Sequence, residues 1–502
     1  MAQITSYNPI TEGVIWKQIL FFFFPMLLSS FFQQLYNTAD ALIVGRAAGK
    51  AALSAVGGSA GSVLGIFIMF YVGFAGGAAV LAAQYFGAKK EAALRTAVRS
   101  SLAISAGLGL AGSIFCFFFA RPVLTMMHTP TDVMGPSLQY LRITALGMIP
   151  NALYNMGASA LRSMGDARRP LLVLVFTCLF NIAMDLWLVA GLHMGAAGAA
   201  LATILSQFLS ALLVLLFLRR SFFLRPAGAG ETGTGGTVSE PDAEGRGMTV
   251  SGDLESAGAG AEKKESSQGR LSESAGPGSA SGRSVPRDMA GRIFRMGFPL
   301  GLTEVMYTLA NVVLMAAINT FGTDTVAAYA AYGKIDAIFW MVVGSFGISI
   351  TTFVGQNIGA GKWDRVMQSI RDCAVMMFII LGLVIAGIYI FAEPLQGLFI
   401  TDPKVIEIGV RMMRFLMPFY LLYIPIEILF GALRGMGNSL APTLLTFFGV
   451  CVLRSSWGLF VAPRYHSVNV VLAGFPITWL ITDIAFAVYF IWFIRRIRPA
   501  GE

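Results

Sequence analysis

Long apolar segments separated by short polar loops make up most of the chain. The first, from Ile15 to Ala39, includes four consecutive phenylalanines and exceeds the roughly 20 residues that a membrane-spanning helix requires. Further apolar segments follow it directly and it lacks a small-residue cleavage site, so it predicts a span and not a signal peptide. Long unbroken runs also favour helices over the short alternating strands of a membrane barrel. We predict about twelve spans, at 15–40, 53–82, 97–120, 138–160, 170–190, 195–218, 297–319, 326–356, 372–392, 411–433, 441–462 and 469–494.

The two halves of this pattern repeat each other. The segment Leu161–Asp166 (LRSMGD) returns 272 positions later as Leu433–Asn438 (LRGMGN), and the same offset aligns Gln84–Gly87 with Gln356–Gly359. Six spans in each half, an even number, mean that both halves enter the membrane from the same side. We therefore predict an all-α polytopic membrane protein whose twelve transmembrane helices form two six-helix lobes, related by a pseudo-two-fold along the membrane normal.

Composition divides the chain into three parts. Residues 1–220 form the predicted N-lobe with helices 1–6, and residues 291–502 form the predicted C-lobe with helices 7–12. The intervening residues 221–290 are rich in Gly, Ser, Ala, Glu and Arg and contain few large apolar side chains. Such a segment buries too little surface to offset its ordering entropy, which predicts a disordered cytoplasmic linker. A partner-binding or phosphorylated tail is the alternative.

Charge is sparse and lies mainly in the loops. Charged residues make up 13% of the chain, against roughly 25% in soluble proteins, and the mean hydropathy is +0.70. The formal charge of +9 would suggest nucleic-acid binding in a soluble chain, but here the basic residues follow the even-numbered spans, where they set membrane orientation. We predict a multi-pass protein of a bacterial-type inner (plasma) membrane, with both termini cytoplasmic and no nucleic-acid partner. The basic residues concerned include Lys89, Lys90, Arg95, Arg99, Arg162, Arg168, Arg169, Arg219, Arg220, Lys362, Arg365, Arg371, Arg434, Arg495 and Arg496.

The sequence contains no pattern typical of an enzyme or a metal centre. The four cysteines lie inside apolar runs without CxxC spacing, which favours a packing role over a disulfide or zinc site. The three histidines lie near outer loops and lack the HExxH spacing of a zinc hydrolase. No GxxxxGK[ST] phosphate-binding loop occurs, so ATP is not expected to drive this chain. We expect no enzymatic activity and no cofactor.

Polar residues inside the apolar spans of the first half are the strongest candidates for chemistry. An ionisable group in a membrane interior is costly and marks a functional site by default. The first, fifth and sixth spans each carry two polar side chains four positions apart, which places each pair on one helix face. If these helices surround one cavity, two carboxylates, an amide and a hydroxyl converge there. The residues are Tyr36 and Asp40, Asn181 and Asp185, and Thr203 and Gln207.

Two kinds of coupling ion suit such a cavity. Low dielectric and a second nearby carboxylate both favour the protonated form of an acid, so Asp40 and Asp185 could take up a proton. The oxygens of these two residues, Asn181 and Thr203 could equally hold a sodium ion. The alternative is that the two acids only face water near helix ends. Pro25 interrupts the first span and predicts either a plain kink or a hinge that responds to the charge of Asp40.

The second half carries its polar residues less regularly. Glu304 and Asn311 share a face of the seventh span, and Glu427 lies in the tenth. Together with Gln207 of the first half, these residues are candidates for substrate contact or for a second ion site.

Two further acids lie within spans of the second half. In the eighth span Asp336 is expected to form a buried pair with Lys334. Asp483 in the twelfth span is expected to face the interior, and nothing in the sequence assigns it a role.

Several of these positions resemble those of the multidrug and toxic compound extrusion (MATE) transporters. The matching residues are Pro25, the segment Tyr36–Asp40, Asn181, Asp185, Thr203 and the two LR(S/G)MG segments at Leu161 and Leu433. The resemblance covers the whole chain except the linker. It implies an N-lobe cavity that binds a proton or sodium ion through Asp40 and Asp185, completed by Tyr36, Asn181 and Thr203, with Pro25 bending the first helix. In some members acids on the seventh and tenth helices serve instead, and Glu304 and Glu427 lie on those helices here.

These features favour a secondary antiporter that exports organic cations, drugs or other amphipathic compounds in exchange for protons or sodium by rocking of the two lobes. Cavity carboxylates and aromatic rings such as Tyr36 would attract a lipophilic cation. A lipid-linked oligosaccharide flippase of the same superfamily is the alternative, although it would have additional spans and a strongly cationic cavity. We expect a monomer that acts on small molecules within the lipid bilayer.

Overall fold

The protein is helical throughout the part of the chain that the structure describes. The structure is a computed structural model, described here for residues 8–222, 287–465 and 467–497. These residues form helices and connecting turns without a β-strand. Eleven of their helices are long and apolar enough to cross a bilayer. This composition agrees with the requirement that backbone groups in lipid find their hydrogen-bond partners within their own helix. The predicted all-α polytopic fold is confirmed.

We number the spans α1–α12 in chain order. The fourth span, α4, consists of two shorter helices that are not among the eleven. The first half contains α1 (Ile15–Ala47), α2 (Ala51–Gly87, interrupted at Gly58), α3 (Glu91–Met126), α4 (Thr131–Ala145 and Met148–Ser163), α5 (Arg168–Gly191) and α6 (Gly195–Phe222). The second half contains α7 (Arg287–Asn319), α8 (Thr323–Gly359), α9 (Trp363–Ile390), α10 (Pro403–Gly435), α11 (Leu440–Tyr465) and α12 (Val468–Ile497). The predicted linker, 221–290, lies outside the described residues except for 221–222 and 287–290, which are helical.

The fourth span differs from its prediction because it is broken. Instead of one helix over 138–160, two helices meet at Leu146 and Gly147. A Cβ at Gly147 would lie 2.4 Å from Gln207 Oε1, so the glycine admits the α6 side chain at a point where it also weakens the helix. The counterpart α10 changes to a 3₁₀ turn at Met417–Leu422, around Pro418, which lacks a backbone donor. Both lobes therefore interrupt the equivalent span near its middle.

The repeat extends to the ends of the helices. Adding the offset of 272 to the last residue of α1 gives the last residue of α7, and the same offset relates both limits of α2 to those of α8 and both limits of α4 to those of α10. The first residues of α3 and α9 are also separated by this offset, as are the first residues of α5 and α11. The predicted two-lobe architecture with parallel repeats is thus supported at the level of individual helix boundaries.

The two lobes approach closely where α2 crosses α8. A Cβ on Gly87 would lie 2.0 Å from Gln356 O, and a Cβ on Gly359 would lie 2.0 Å from Gln84 O. These are the equivalent glycines of the repeated QxxG segments. Only a hydrogen atom fits at each position, so the glycines permit a backbone contact that larger residues would block.

Side chains of the same segments link the lobes reciprocally. Gln84 Nε2 donates a hydrogen bond to Gly435 O at 3.0 Å, and Gln356 Nε2 donates to Ser163 O at 2.7 Å. Ser163 and Gly435 are the third residues of the LRSMGD and LRGMGN segments. The two repeated sequence signals therefore contact each other across the pseudo-two-fold.

Each of these six-residue segments ends a helix with the same turn. Gly165 and Gly437 adopt φ angles of 87° and 91°, in the left-handed region that favours glycine. Asp166 Oδ1 then accepts backbone hydrogen bonds at 3.1 Å from the start of α5, and Asn438 Oδ1 accepts one at 3.4 Å from the start of α11. The turn presents the carbonyl group of the third residue to the glutamine of the opposite lobe.

The cross-lobe contacts continue along α2 and α7. A Cβ on Gly77 would lie 2.3 Å from Met296 O, and one on Gly73 would lie 2.6 Å from Leu300 O. These contacts, together with the α2–α8 crossing, occupy the C-terminal half of α2. That half leads to the end of the bundle that carries the loops at Lys89, Lys90 and Lys362, which we call the basic end.

Placing a methyl group at the α2–α8 crossing is expected to destabilise the protein. Gly87→Ala should separate the two backbones or strain them, at a cost of roughly 1–3 kcal/mol. Gly107→Ala in α3 is the matched control, because a Cβ there has no neighbour within 4 Å. Melting temperatures of the purified variants in detergent measure the effect. A Gly87→Ala protein as stable as the control would contradict the described crossing.

Candidate functional site

The polar residues predicted from the first half come together inside the N-lobe. Tyr36 and Asp40 lie one turn apart on α1, Asn181 and Asp185 lie one turn apart on α5, and Thr203 reaches them from α6. Asn181 and Asp185 have no exposed surface, and Asp40 and Thr203 are 8% and 7% exposed. The four-residue spacing read from the sequence thus places each pair on the helix face that points into the lobe.

The two carboxyl groups form the centre of this cluster. Asp40 and Asp185 lie within hydrogen-bonding reach of each other. Among the described residues, no N–H or O–H group donates to Asp40 Oδ1 or to either oxygen of Asp185. Two buried carboxylates without donors would repel each other, whereas one proton between them turns the same contact into a hydrogen bond.

Tyrosine side chains close the cluster on two sides. Tyr36 Oη donates to Thr203 Oγ1 at 3.4 Å, which joins α1 to α6. Tyr140, on the first part of α4, lies within electrostatic range of Asp40, Tyr36 and Asp185 and is only 6% exposed. Tyr140 is not among the site residues predicted from the sequence. A polar hydroxyl within a span was the signal that could have found it.

Helix α5 changes its winding immediately after Asp185. The α-helical part ends at this residue, and Leu186–Gly191 continue as a π-helix. A π-turn frees backbone groups from the regular α-helical pattern and is frequent at functional sites. Helix α11 has a π-segment at Trp457–Val461, close to the equivalent position. The repeated feature lies beside the carboxyl pair in one lobe only.

The N-lobe cluster also offers oxygens that could coordinate a cation. Both amide atoms of Asn181 are buried without a hydrogen-bond partner, and Gln207 Oε1 is likewise unpaired beside Gly147. Carboxylate, amide and hydroxyl oxygens suit a hard cation. Among the described residues no group of three or more His, Cys, Asp and Glu side chains could hold a metal ion. A sodium ion would therefore rely on Asn181 and Thr203 in addition to the two acids.

The two candidate glutamates of the C-lobe converge on one arginine. Glu304 of α7 and Glu427 of α10 both interact electrostatically with Arg434, which also lies near Arg162 of the opposite lobe. A Cβ on Gly76 of α2 would lie 2.9 Å from Arg434 Nη2, so the guanidinium packs directly against the N-lobe. Arg434 therefore lies between the lobes and not simply in a loop, as its place after a span suggested. Two glutamates and two arginines therefore lie within electrostatic range of one another at the lobe interface.

Asn311 does not join this cluster. It is exposed, two turns along α7 from Glu304. Asp483 of α12 lies beside the backbone of Ile426 in α10, with its Oδ1 buried and lacking a hydrogen-bond partner. The structure thus brings Glu304 and Glu427 together and leaves Asn311 and Asp483 apart from them.

The predicted pair between Asp336 and Lys334 is wrong. Asp336 accepts hydrogen bonds from Trp340 Nε1 at 2.8 Å and from Tyr420 Oη, which also contacts Tyr332 Oη. Lys334 is exposed and forms no ion pair with Asp336. Side chains two positions apart on a helix point in different directions, which is the reason that the pair does not form.

Pro25 lies inside α1, and the helix continues through it. Ser29 Oγ donates to the Pro25 carbonyl at 2.8 Å, in the turn that follows the proline. Two positions before it, the Phe23 ring stacks on Phe346 of α8 with 4.3 Å between ring centroids. A change in the α1 bend would therefore alter a contact with the opposite lobe. The hinge role of Pro25 stays a prediction.

Known proteins share both the sequence pattern and the fold of this chain. The chain is 25% identical to "Probable multidrug resistance protein YoeA" of Bacillus subtilis, with 98% of each protein covered. It is 26% identical to "Probable multidrug resistance protein NorM" of Thermotoga maritima, covering 96% of this chain and 92% of that protein. A solved structure described as the outward-facing conformation of a multidrug resistance MATE family transporter matches with a TM-score of 0.79 at 21% identity, covering 99% of both chains.

The match to the family itself covers most of both lobes. The MatE family model matches residues 25–187 and 299–458, which contain the α1 and α5 residues of the N-lobe cluster, the cross-lobe segments and the C-lobe glutamates. The resemblance inferred from the sequence is therefore confirmed. The chain belongs to the MatE family, a family of multidrug efflux transporters of the membrane.

Proposed function

We propose that the protein is a secondary antiporter that exports organic cations, drugs or other amphipathic compounds in exchange for protons or sodium ions. The observation that carries the proposal is the Asp40–Asp185 pair, buried within one lobe and supplied with no donor by the described residues. A pair of this kind changes charge when it gains or loses a cation. A cation bound to the pair reduces the negative charge of the N-lobe. Ion binding therefore weakens the attraction of the lobe for a positively charged substrate.

A proton is the coupling ion that the carboxyl contact favours. One proton shared by Asp40 and Asp185 leaves a single negative charge, and loss of that proton leaves two charges that repel. Sodium would instead bridge the acids to Asn181 and Thr203. Exchange follows if the cation and the substrate compete for the charge of the pair, because each then lowers the affinity for the other.

The cross-lobe contacts suggest how access would alternate. The lobes meet along the C-terminal half of α2, through Gly87, Gly359 and the reciprocal glutamine bonds. We propose that both termini and the basic end are cytoplasmic, as the basic loops predict, so that this arrangement is open toward the outside. Opening to the cytoplasm would then require Gln84 and Gln356 to release their carbonyl partners, with Pro25 of α1 as the hinge.

The remaining assignments follow from this scheme. Glu304 and Glu427, with Gln207 and Asn311, would contact the substrate or form a second ion site, and the linker at 221–290 would connect the lobes without a direct role in transport. The protein would act as a monomer that needs no cofactor. The names of the relatives favour drug efflux over a lipid-linked oligosaccharide flippase.

Removing the charge of Asp40 is expected to uncouple export from the ion gradient. In proteoliposomes, Asp40→Asn should lower the gradient-driven export of the cationic dye rhodamine 123 by about tenfold, within the range for a lost coupling. Imposing the pH gradient and the sodium gradient separately identifies the ion. Asp132→Asn, at an exposed position of α4, is the matched control and should transport like wild type. Equal export by Asp40→Asn and wild type would exclude the assigned role of Asp40.

The thermal stability of the protein should also depend on the coupling ion, and it can be measured without a transport assay. Deprotonating the buried pair favours the unfolded chain, because the two carboxylates separate there and regain water. The free energy of unfolding should therefore be higher at acid pH and fall as the pH rises. We expect the melting temperature of wild type in sodium-free buffer to fall between mildly acidic and alkaline pH, and Asp185→Asn to remove most of this fall. Added sodium chloride, compared with choline chloride, should restore stability at alkaline pH if sodium binds the pair.

The exposed control separates this effect from general pH sensitivity. Asp132→Asn should keep the pH dependence of wild type, since its side chain is already in contact with the aqueous loop region. A pH dependence that is the same in Asp185→Asn and in wild type would show that other groups are responsible.

A further inference from the structure

Arg454 is an arginine buried inside the C-lobe. It lies on α11 and is only 3% exposed. Its guanidinium carries five N–H donors, yet it forms a single side-chain hydrogen bond, from Nη2 to Thr478 Oγ1 at 3.4 Å. Nε is buried without an acceptor. Most of the donor capacity of this side chain is therefore unused within the described part of the protein.

No acid of the described residues neutralises this charge. Tyr307, Tyr423, Cys451 and Tyr329 are the groups that lie within electrostatic range of Arg454. The nearby acids have other partners, since Glu304 and Glu427 interact with Arg434 and Asp336 accepts hydrogen bonds from Trp340 and Tyr420. An unpaired arginine in a membrane interior is costly, which marks it as a candidate binding group.

Aromatic stacking accounts for part of the environment of Arg454. The guanidinium carbon lies 4.3 Å from the centroid of the Phe475 ring and 5.7 Å from that of Trp479. Stacking of this kind stabilises the flat face of the cation. The N–H groups point outward from the edge of the guanidinium plane, and stacking leaves them without acceptors. The arrangement holds the side chain in place, and apart from Thr478 Oγ1 its N–H groups have no acceptor among the described residues.

Tyrosine side chains surround the charge of Arg454. Tyr307 of α7 and Tyr329 of α8 are half-buried and lie within electrostatic range of Arg454, and the Tyr307 and Tyr423 hydroxyls are 3.1 Å apart. Trp340 meets Tyr423 edge-on, with 4.9 Å between ring centroids. Tyrosine rings and hydroxyls next to an arginine suit a ligand that is flat and aromatic at one end and anionic at the other.

When the two halves of the repeat are aligned, Arg454 lies close to the acidic residues of the N-lobe. It is the counterpart of Ile182, which lies between Asn181 and Asp185 on α5. Helix α11 adopts π-geometry on both sides of Arg454, at Phe447–Val452 and Trp457–Val461. The two lobes therefore carry opposite charges at nearly the same place, carboxylates in the N-lobe and a guanidinium in the C-lobe.

We propose that Arg454, with Tyr307 and Tyr329, forms a subsite of the C-lobe that binds the carboxylate of an aromatic small molecule. A carboxylate can accept two hydrogen bonds from the guanidinium edge, while its ring packs against the tyrosines. The inference rests on the proposed function in so far as such a compound would be cargo. Within the proposed cargo, it selects zwitterionic and anionic aromatic compounds.

A pair of dyes that differ at one group tests the subsite. Rhodamine 110 carries a free carboxylate, and rhodamine 123 is its methyl ester. Binding of both to the full-length protein in nanodiscs is measured by fluorescence polarisation without an ion gradient. We expect wild type to bind rhodamine 110 at least as tightly as rhodamine 123, and Arg454→Gln to weaken rhodamine 110 binding about tenfold, as for the loss of a charge-assisted contact. Rhodamine 123 binding should change less than about twofold, because the ester lacks the charge.

Two further variants separate recognition from stability. Arg454→Lys keeps the charge without the planar edge and should restore part of the rhodamine 110 affinity. Arg411→Gln replaces an exposed arginine of the same lobe and should leave both affinities unchanged. Equal weakening of both dyes in Arg454→Gln would assign Arg454 to packing alone and overturn the proposal.

The wild-type protein provides a test that no folding defect can obscure. Failure of wild type to bind rhodamine 110, or a preference for the ester above about tenfold, would also overturn the subsite. Loss of ion-coupled export with the rhodamine 110 preference intact would refute the proposed antiport and leave the subsite standing. The two proposals therefore fail in distinguishable ways.

Discussion

The absence of water from the membrane interior is the constraint on which the rest of the structure depends. It requires backbone groups to bond within helices, and it makes every unpaired polar side chain costly. Most polar groups in the described spans meet this requirement with local partners, such as Ser and Thr hydroxyls that donate to the carbonyl four residues earlier. Other buried polar groups of the described residues lack a partner in both lobes. In the N-lobe they include Asp40 and Asp185, and in the C-lobe they include Arg454.

The same constraint explains why the lobes make contact through glycine and glutamine. Apolar side chains gain little from leaving lipid for one another, so close backbone approach and hydrogen bonds must hold the lobes together. Gly87 and Gly359 allow the approach, and Gln84 and Gln356 supply the bonds. Apolar contacts also join the lobes, such as the stacking of Phe23 on Phe346. Rocking of the lobes would therefore require both kinds of contact to change.

Much of the fold follows from local sequence pattern. Span number, the parallel repeat and the pairing of polar residues on helix faces depend on spacing along one helix or between two copies, which can be read directly. The break in α4 was missed because it depends on contact between Gly147 and Gln207 of another helix. The pair of Lys334 and Asp336 was predicted from proximity in sequence, although helix geometry turns the two side chains apart.

The site residues that were not predicted from the sequence share one feature. Tyr140 and Arg454 acquire their importance from partners on other helices, and neither belongs to a repeated or regularly spaced set. Arg454 had a signal of its own, since it is a charged residue within the apolar run 441–462. Its lack of an acidic partner, however, is a property of the packed C-lobe. The two lobes thus share one backbone plan, although Arg454 of the C-lobe corresponds to the uncharged Ile182 of the N-lobe.

The central claim is that one proton is shared by Asp40 and Asp185 and is released when substrate binds. Infrared difference spectroscopy tests it directly, because a protonated carboxyl group has a C=O stretching band that a carboxylate lacks. The account predicts that adding rhodamine 123 to wild type at neutral pH removes such a band, and that Asp40→Asn with Asp185→Asn abolishes this difference signal. A substrate-induced loss of the band that persists in the double variant would contradict it.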